Sequence, residues 1–199
     1  LFPLDFIDIA EQSGMVVRLG KWVIEKAIQD WTSWKNQGIH IERIAVNISP
    51  LQIAQPSFAD DVIDLLESYS MPASFLEIEI TEGMLMDDAS NATVKLKQLS
   101  EYGVNIAIDD FGTGYSSLSY LQKFPLRSLD TLHWRGWAAE SKNVDAYLVN
   151  AIVSIAKGLN LELVAEGVET WAQLEYLKAR GCDKVQGYLF SKAVDADEI

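Results

Sequence analysis

The stretch Val104–Asp110, VNIAIDD, is a short apolar run that ends in two adjacent aspartates. It follows Ala89–Tyr102, whose apolar residues recur at helical spacing, and Gly103 stands between the two segments. A helix, a glycine and then a short apolar run are typical of one unit of an α/β fold. The stretch therefore predicts a buried strand with carboxylates at its carboxyl end.

The same alternation continues along the chain. Further strands are predicted at Ile44–Ser49, Phe75–Thr81, Leu161–Glu166 and Val185–Tyr188. Further helices are predicted at Gly20–Asn36, Phe58–Tyr69, Ala146–Leu159 and Trp171–Arg180. Glycine is the residue least strained in a left-handed helix cap, and three glycines stand at or near predicted helix ends: Gly103, Gly158 and Gly181. Because strands and helices alternate without two-residue hairpin turns, we predict a parallel sheet with crossover helices.

A parallel sheet of this kind is either an open doubly wound sheet or a closed (β/α) barrel. No Gly-x-Gly-x-x-Gly follows any predicted strand, which removes the main reason to expect a dinucleotide-binding open sheet. No proline-rich linker and no internal repeat divides the chain. We therefore predict a (β/α) barrel that occupies residues 1–199 as one domain.

Composition restricts the chemistry. The net charge of −13 argues against a nucleic-acid polymer as partner, because such partners need a basic face. No apolar run is long enough to cross a bilayer. The single cysteine, Cys182, excludes an intrachain disulfide and a cysteine-rich zinc site. With only two histidines, His40 and His133, a bound metal is expected to be a hard ion held by oxygen, such as Mg²⁺, Mn²⁺ or Ca²⁺.

Polar side chains stand at the carboxyl ends of most predicted strands. The carboxyl ends of barrel strands share one rim, where active sites lie. Clustered carboxylates repel one another unless a cation compensates them, and two adjacent aspartates can serve two metals. The residues at this predicted rim are Asn47, Glu79, Glu82, Asp109, Asp110, Glu166, Glu169 and Gln186.

Each of these residues also has a simpler interpretation. A lone strand-end carboxylate is more often a helix cap or a surface residue. Asp110 can begin a turn, Asn47 can cap the turn at Ser49-Pro50, and Gln186 can be a buried amide bonded to backbone. The recurrence of polar residues at the same position in strand after strand favours metal binding.

Five sequence blocks resemble the signature of a known family. They are IAVNIS, EIEITE, IAIDDFGTGYSSLSYL, VAEGVET and QGYLFSK, and FIDIAEQSG near the start adds a sixth. These blocks resemble EAL domains, the bacterial cyclic di-GMP phosphodiesterases, over nearly the whole chain. The resemblance implies a modified (β/α)8 barrel with one reversed strand. It also implies a cytoplasmic domain, whose parent protein can be anchored in the inner membrane.

The resemblance implies metal-dependent hydrolysis of cyclic di-GMP to linear pGpG. The cofactor would be Mg²⁺ or Mn²⁺, with Ca²⁺ inhibitory. The implied metal ligands are Asn47, Glu79, Asp109, Asp110 and Glu166. Gln186 corresponds to a site amide that contacts the water or its ligands. The implied catalytic residues are Glu166, Gln186 and Asp130, which lies at or near the position of the family's lysine.

Other implied roles concern the substrate and a control loop. Ile7, Glu11 and Gln52 resemble parts that hold the dinucleotide. Glu82 and Glu169 match positions that support the loop after Asp110. That loop is associated with homodimer contacts and with control of the metal site, and it contains Phe111, Gly112, Thr113, Gly114, Tyr115, Ser116 and Ser117.

Two departures from the family pattern bear on activity. The Glu-Ala-Leu motif is absent, so the opening strand or strands of the barrel, one metal-ligand glutamate and a phosphate-binding arginine are expected upstream of Leu1. The family's Leu-Lys-Ile-Asp is also missing: without a gap Asp130 replaces the lysine, and with a two-residue deletion Asp130 is the family aspartate. His133–Trp137, with two tryptophans and an arginine, fits a partner surface, core packing or an altered sequence over residues 130–137.

Three function classes follow. The retained rim residues favour a phosphodiesterase. The lost lysine favours a degenerate EAL domain that acts as a cyclic di-GMP receptor, because losing a water-positioning group weakens catalysis while binding survives. A purely structural domain would leave the clustered carboxylates without a role. By resemblance, partners are cyclic di-GMP, a second copy of the chain and flanking sensory or GGDEF domains, with no direct membrane contact by this domain.

Overall fold

The structure is a computed structural model that describes residues 6–84, 89–112, 121, 124–131 and 144–199. The helices are α1 (Ile7–Gln12), α2 (Met15–Asn36), α3 (Pro50–Ala54), α4 (Phe58–Ser68), α5 (Ala89–Tyr102), α6 (Val144–Leu159) and α7 (Trp171–Lys178). The strands are β1 (Ile44–Asn47), β2 (Leu76–Thr81), β3 (Asn105–Asp109), β4 (Ser128–Thr131), β5 (Glu162–Ala165) and β6 (Lys184–Val185). Short 3₁₀ turns occupy Ala73–Phe75 and Ala196–Glu198.

The strands follow chain order in a six-stranded sheet, β1-β2-β3-β4-β5-β6. The pairs β1–β2, β3–β4, β4–β5 and β5–β6 are parallel. A doubly wound sheet reverses its strand order at a switch point. Strands that follow chain order without a reversal are those of a (β/α) barrel. The predicted barrel class is therefore confirmed, and the alternative of a doubly wound sheet is excluded.

The chain divides into two compact units. The first comprises Leu1–Ile106 with Lys123–Pro125, and the second comprises Ala107–Gln122 with Leu126–Ile199. Strand β3 contributes its first residues to one unit and its last residues to the other.

In the first unit, the core forms between α2 and the adjoining strands. The buried residues of α2 recur every three or four positions, as expected for one helix face against a core: Val16, Gly20, Ile24, Ile28 and Trp31. The Trp31 and Phe75 rings lie 5.1 Å apart. Leu76, Ile78 and Ile80 of β2 are all but fully buried. Because strand side chains alternate between faces, Glu77 and Glu79 occupy the opposite face of β2.

In the second unit, β5 packs against α6. Ile108, Leu129 and Leu163 are buried, one on each of β3, β4 and β5, and Ile152 and Ala156 are buried on α6 at four-residue spacing. Apolar strands covered by a helix are expected in a parallel sheet.

The predicted helices and strands are present with shifted ends, and the last strand is shorter than predicted: β6 is Lys184–Val185, whereas Val185–Tyr188 was expected. Helix α3 was not predicted. Strand β4 was not predicted. Of the three glycines, Gly103 and Gly181 have the left-handed φ of caps, at 111° and 80°. The expectation for Gly158 is wrong, because Gly158 lies inside α6 and Asn160 takes the left-handed position with φ 57°. None of the helices in the described ranges has both the length and the apolar character to span a bilayer.

Candidate active site

The ends of β1 and β2 bring an amide and a carboxylate together. Asn47 ends β1, and its Cα is in register with that of Glu79 on β2. The Asn47 Nδ2 donates a hydrogen bond of 2.9 Å to Glu79 Oε2. Parallel pairing in this register puts both side chains on the face of the sheet that the apolar residues of β2 leave free. Asn47 and Glu79, both predicted as residues of the rim, thus contact each other within the first unit.

A second glutamate of β2, Glu77, lies two residues before Glu79 and is 5% exposed. Its Oε2 accepts from Arg43 at 2.5 Å. Buried carboxylates are normally paired in this way, because an uncompensated charge out of water is costly. Neither Arg43 nor Glu77 was among the predicted site residues. The alternation LEIEI does place Glu77 on the face of Glu79, but no sequence signal joins it to Arg43.

At the end of β3 the chain turns sharply. Asp109 is the last residue of the strand, and its Oδ1 accepts from the backbone N–H of Asp110 at 2.7 Å. Asp110 has φ 56°, a left-handed conformation that is uncommon outside glycine and more accessible to aspartate than to most residues. The next amide, of Phe111, donates to the Asp130 carbonyl at 3.2 Å. Asp110 therefore stands at a turn, and the carboxylates of Asp109 and Asp110 are adjacent in sequence at that turn.

Strand β4 carries Asp130, whose side chain is 3% exposed. The β3–β4 register aligns Ala107 with Ser128 and Ile108 with Leu129. Continued by one residue, this register sets Asp130 beside Asp109 in the second unit. An acidic residue at this point of β4 adds negative charge next to a predicted metal ligand.

A second amide–carboxylate pair lies beyond β5 and β6. The Gln186 side-chain amide donates to Glu166 Oε1. The backbone N–H of Gln186 donates to the Ala165 carbonyl at 2.8 Å, which continues the pairing of Ala165 with Val185. Gln186 is exposed and Glu166 partly exposed. The simpler interpretation of Gln186 as a buried amide bonded to backbone is therefore wrong. Its side chain is exposed and donates to the Glu166 carboxylate.

A cleft of about 430 Å³ opens beside this pair. It is lined by Glu166, Gly167, Glu169, Gln186, Gly187, Tyr188, Ser191, Lys192 and Ala193. Lys192 Nζ lies 5.7 Å from the centre of the Tyr188 ring. Tyr188, Ser191 and Lys192 belong to the block QGYLFSK but were not among the predicted site residues. The sequence feature that could have indicated them is their position, because all three closely follow Gln186.

The remaining predicted residues have other surroundings. Gln52 is 4% exposed, and its side chain accepts from the Ser49 backbone N–H, completing the capping box of α3. Glu82 is 5% exposed and Glu169 is exposed. Ile7 and Glu11 lie one helical turn apart on α1, both partly exposed. Of the predicted loop, Phe111 is buried and Gly112 is exposed, whereas residues 113–117, like 133–137, lie outside the described residues.

The donor set fits a hard divalent ion. The strand-end groups are carboxylates and amides, and oxygen ligands of this kind select Mg²⁺ or Mn²⁺ over softer metals. Burial raises the pKa of the Cys182 thiol to about 11, which disfavours the thiolate that a softer metal would need. Its Sγ donates to the Lys184 carbonyl at 3.1 Å.

Comparisons with known proteins identify the family of the chain. The family model for the EAL domain matches residues 1–193. Over 199 residues the chain is 42% identical to the bifunctional diguanylate cyclase/cyclic di-GMP phosphodiesterase MucR of Pseudomonas aeruginosa, covering 99% of this chain and 29% of that protein. It is 41% identical over 192 residues to the cyclic di-GMP phosphodiesterase NbdA of the same organism, covering 96% and 24%.

Among solved structures, the PaMucR phosphodiesterase in complex with c-di-GMP matches with a TM-score of 0.93 and 42% identity, covering all of this chain and 80% of that one. The chain spans less than a third of the length of the curated relatives it matches. The EAL family model matches residues 1–193, and the chain is 42% identical to MucR. The chain therefore belongs to the EAL domain family.

Proposed function

We propose that this chain is a metal-dependent phosphodiesterase that hydrolyses cyclic di-GMP to linear pGpG. The observation that carries the proposal is the amide–carboxylate pair found at two separate strand ends, Asn47 with Glu79 and Glu166 with Gln186. An amide that donates through its nitrogen keeps its oxygen as a possible ion ligand. The names of the relatives MucR and NbdA, both cyclic di-GMP phosphodiesterases, support the choice of substrate.

The proposed ion is Mg²⁺ or Mn²⁺, with Ca²⁺ as an inhibitory substitute. Its proposed ligands are Asn47, Glu79, Asp109, Asp110 and Glu166. When bound, a divalent ion supplies activation of water and stabilisation of negative charge on the phosphodiester. The chain's part is to hold Glu79, Asp109 and Glu166 in place by the hydrogen bonds described above, in which Gln186 orients Glu166.

The other predicted roles are retained as proposals. Ile7, Glu11 and Gln52 would contribute to dinucleotide binding, although the Gln52 amide is already engaged in the cap of α3. Glu82 and Glu169 would support the loop Phe111–Ser117, through which a homodimer would form. We propose one EAL domain over residues 1–199, in the cytoplasm, with flanking diguanylate cyclase or sensory domains in a longer parent protein.

A second candidate function is a cyclic di-GMP receptor without turnover. Asp130 favours it, because it stands buried on β4 where the ungapped alignment expects the family's lysine. Loss of a group that positions or deprotonates the attacking water costs catalysis about 10²–10⁴-fold. Binding of the dinucleotide does not depend on that group.

The test follows substrate and product together. The chain is incubated with cyclic di-GMP and Mg²⁺ or Mn²⁺, pGpG is measured by chromatography, and binding is measured by calorimetry in Ca²⁺. Metal-dependent pGpG formation that EDTA abolishes supports the enzyme, and tight binding without product supports the receptor. If cyclic di-GMP neither binds nor reacts, both proposals are contradicted.

A further inference from the structure

A four-residue turn, Gly167–Thr170, joins the end of β5 to α7 and directly follows Glu166. Its centre, Val168, is fully buried. The Val168 N–H donates to the Gln186 carbonyl at 3.0 Å, and its carbonyl accepts from the Leu189 N–H at 2.9 Å. The turn is therefore bonded through backbone to the segment that carries Gln186.

Gly187 makes this contact possible. A Cβ atom at Gly187 would lie 2.2 Å from the Val168 carbonyl oxygen and 2.3 Å from its nitrogen. Both obstacles are backbone atoms, which cannot move aside as the end of a flexible side chain can. One side of the turn is thus fixed by close approach of two backbone segments.

The other side of the turn is held by one side chain, Gln173. Its Oε1 accepts from the backbone N–H groups of Glu169 and Thr170, each at 2.8 Å. An amide oxygen has two lone pairs, and both are used here. In return, the Gln173 backbone N–H donates to Thr170 Oγ1 at 3.3 Å, which completes a capping box at the start of α7.

We propose that Gln173 is a positioning residue for the metal-binding carboxylate Glu166. This inference rests on the proposed function. Gln173 supplies the acceptor for two consecutive amides of the turn, and the turn begins at the residue after Glu166. If that acceptor is removed, the turn can relax on one side, and Glu166 must be ordered again each time an ion binds. Gln173 therefore acts on ion affinity through the backbone, without touching the ion or the substrate.

The capping box allows the positioning role to be separated from helix stability. Thr170→Ala removes the hydroxyl that caps α7 but leaves both Gln173 Oε1 bonds in place. Gln173→Met keeps side-chain length and helix propensity but removes the acceptor. Gln173→Glu restores an acceptor at the same point, because glutamate serves in capping boxes as glutamine does. Gln173→Ala is prepared in parallel, so that a folding defect in one variant leaves the other to decide.

The experiment has two readouts on the whole chain, with folding checked by circular dichroism. In metal-free buffer, amide hydrogen exchange is measured at Glu169 and Thr170. We expect at least a ~10-fold acceleration in Gln173→Met and no change at Glu169 in Thr170→Ala. Mn²⁺ affinity, measured by calorimetry, should fall about 10- to 100-fold in Gln173→Met, the range found for groups that orient ligands. It should recover to within about threefold of the parent in Gln173→Glu, and Thr170→Ala should also stay within about threefold.

Three results would overturn the inference: equal losses of Mn²⁺ affinity in Thr170→Ala and Gln173→Met, unchanged amide exchange in Gln173→Met, or no Mn²⁺ binding by the unsubstituted chain. Failure of the proposed hydrolysis looks different. An unsubstituted chain that binds Mn²⁺ but forms no pGpG contradicts the phosphodiesterase, while the effect of Gln173 on ion affinity is still measured.

Discussion

Asn47 and Glu79 face each other across two parallel strands, with their Cα atoms in register and Asn47 Nδ2 donating to Glu79 Oε2 at 2.9 Å. The hydrogen bond engages one oxygen of Glu79 and fixes which end of the Asn47 amide is the acceptor. The two oxygen atoms proposed as ion ligands, one on each neighbouring strand, are thereby oriented before an ion binds. Such preorganisation lowers the cost of ordering ligands when binding occurs.

Asn47→Ala should weaken Mn²⁺ binding by about 10- to 100-fold, because it removes a proposed oxygen ligand of the ion and the amide N–H that orients Glu79. Calorimetric titration with Mn²⁺ measures the change. The matched control is Gln98→Ala, which also removes an amide–carboxylate hydrogen bond, 2.7 Å to Asp60 on helix α4. Equal effects of the two substitutions would contradict a role for Asn47 at the ion.

Arg43→Ala should destabilise the fold by about 3–5 kcal/mol, because it removes the guanidinium charge that compensates the buried Glu77 carboxylate. Urea unfolding followed by circular dichroism gives the free energy of unfolding. The double variant Arg43→Ala/Glu77→Gln also removes the Glu77 charge, so the loss should be clearly smaller. A double variant as unstable as the single one would show that the packing of Arg43, rather than the charge of Glu77, sets the cost.

Cys182 should react slowly in the native chain. Burial raises the pKa of its thiol to about 11, so at pH 8 the reactive thiolate is roughly 100-fold scarcer than in an unfolded chain. The rate of labelling by a disulfide reagent at pH 8, with and without urea, measures this difference. Comparable rates in both conditions would contradict the burial.

The same pKa fixes the sign of a stability change with pH. The unfolded chain releases the Cys182 proton more readily than the folded chain does. This group's contribution to stability should therefore be constant below the ordinary range of cysteine and fall as the pH rises from that range toward 11. Cys182→Ala should remove this part of the pH dependence, as measured by urea unfolding at alkaline pH.

Asp130→Lys should raise the rate of pGpG formation by about 100-fold or more if the ungapped alignment holds, because it restores a cation that can position the attacking water. Product formation with Mn²⁺ at saturating cyclic di-GMP measures the gain. Asp130→Ala is the control, since it removes the negative charge without supplying the cation. A lysine variant that binds cyclic di-GMP but is no faster than the alanine variant would favour the gapped alignment.

The sequence was sufficient for most of the elements, and the reason is local. Helix α2 and strands β2 and β3 have apolar residues at the spacing of their own secondary structure, so burial pattern and backbone geometry agree. β4 lacks such a pattern, because SLDT contains a single apolar residue. Its strand geometry depends on hydrogen bonding to β3 and β5 on either side.

The chemical character of the site was also readable from the sequence, since residue type and strand-end position need no coordinates. Asn47, Glu79, Glu166 and Gln186 were selected in this way. The capping box that involves Gln173 has a sequence signature too, Thr170-x-x-Gln173, although its bearing on Glu166 has none.

The tertiary structure alone decided which polar groups meet. Arg43 and Glu77 are 34 positions apart, and Glu166 and Gln186 are 20 apart. A pairing across such separations depends on strand register, and a shift of one residue would turn every side chain of a strand to the other face. Residue identity thus determined which chemistry the chain can offer, whereas register determined the partner of each group.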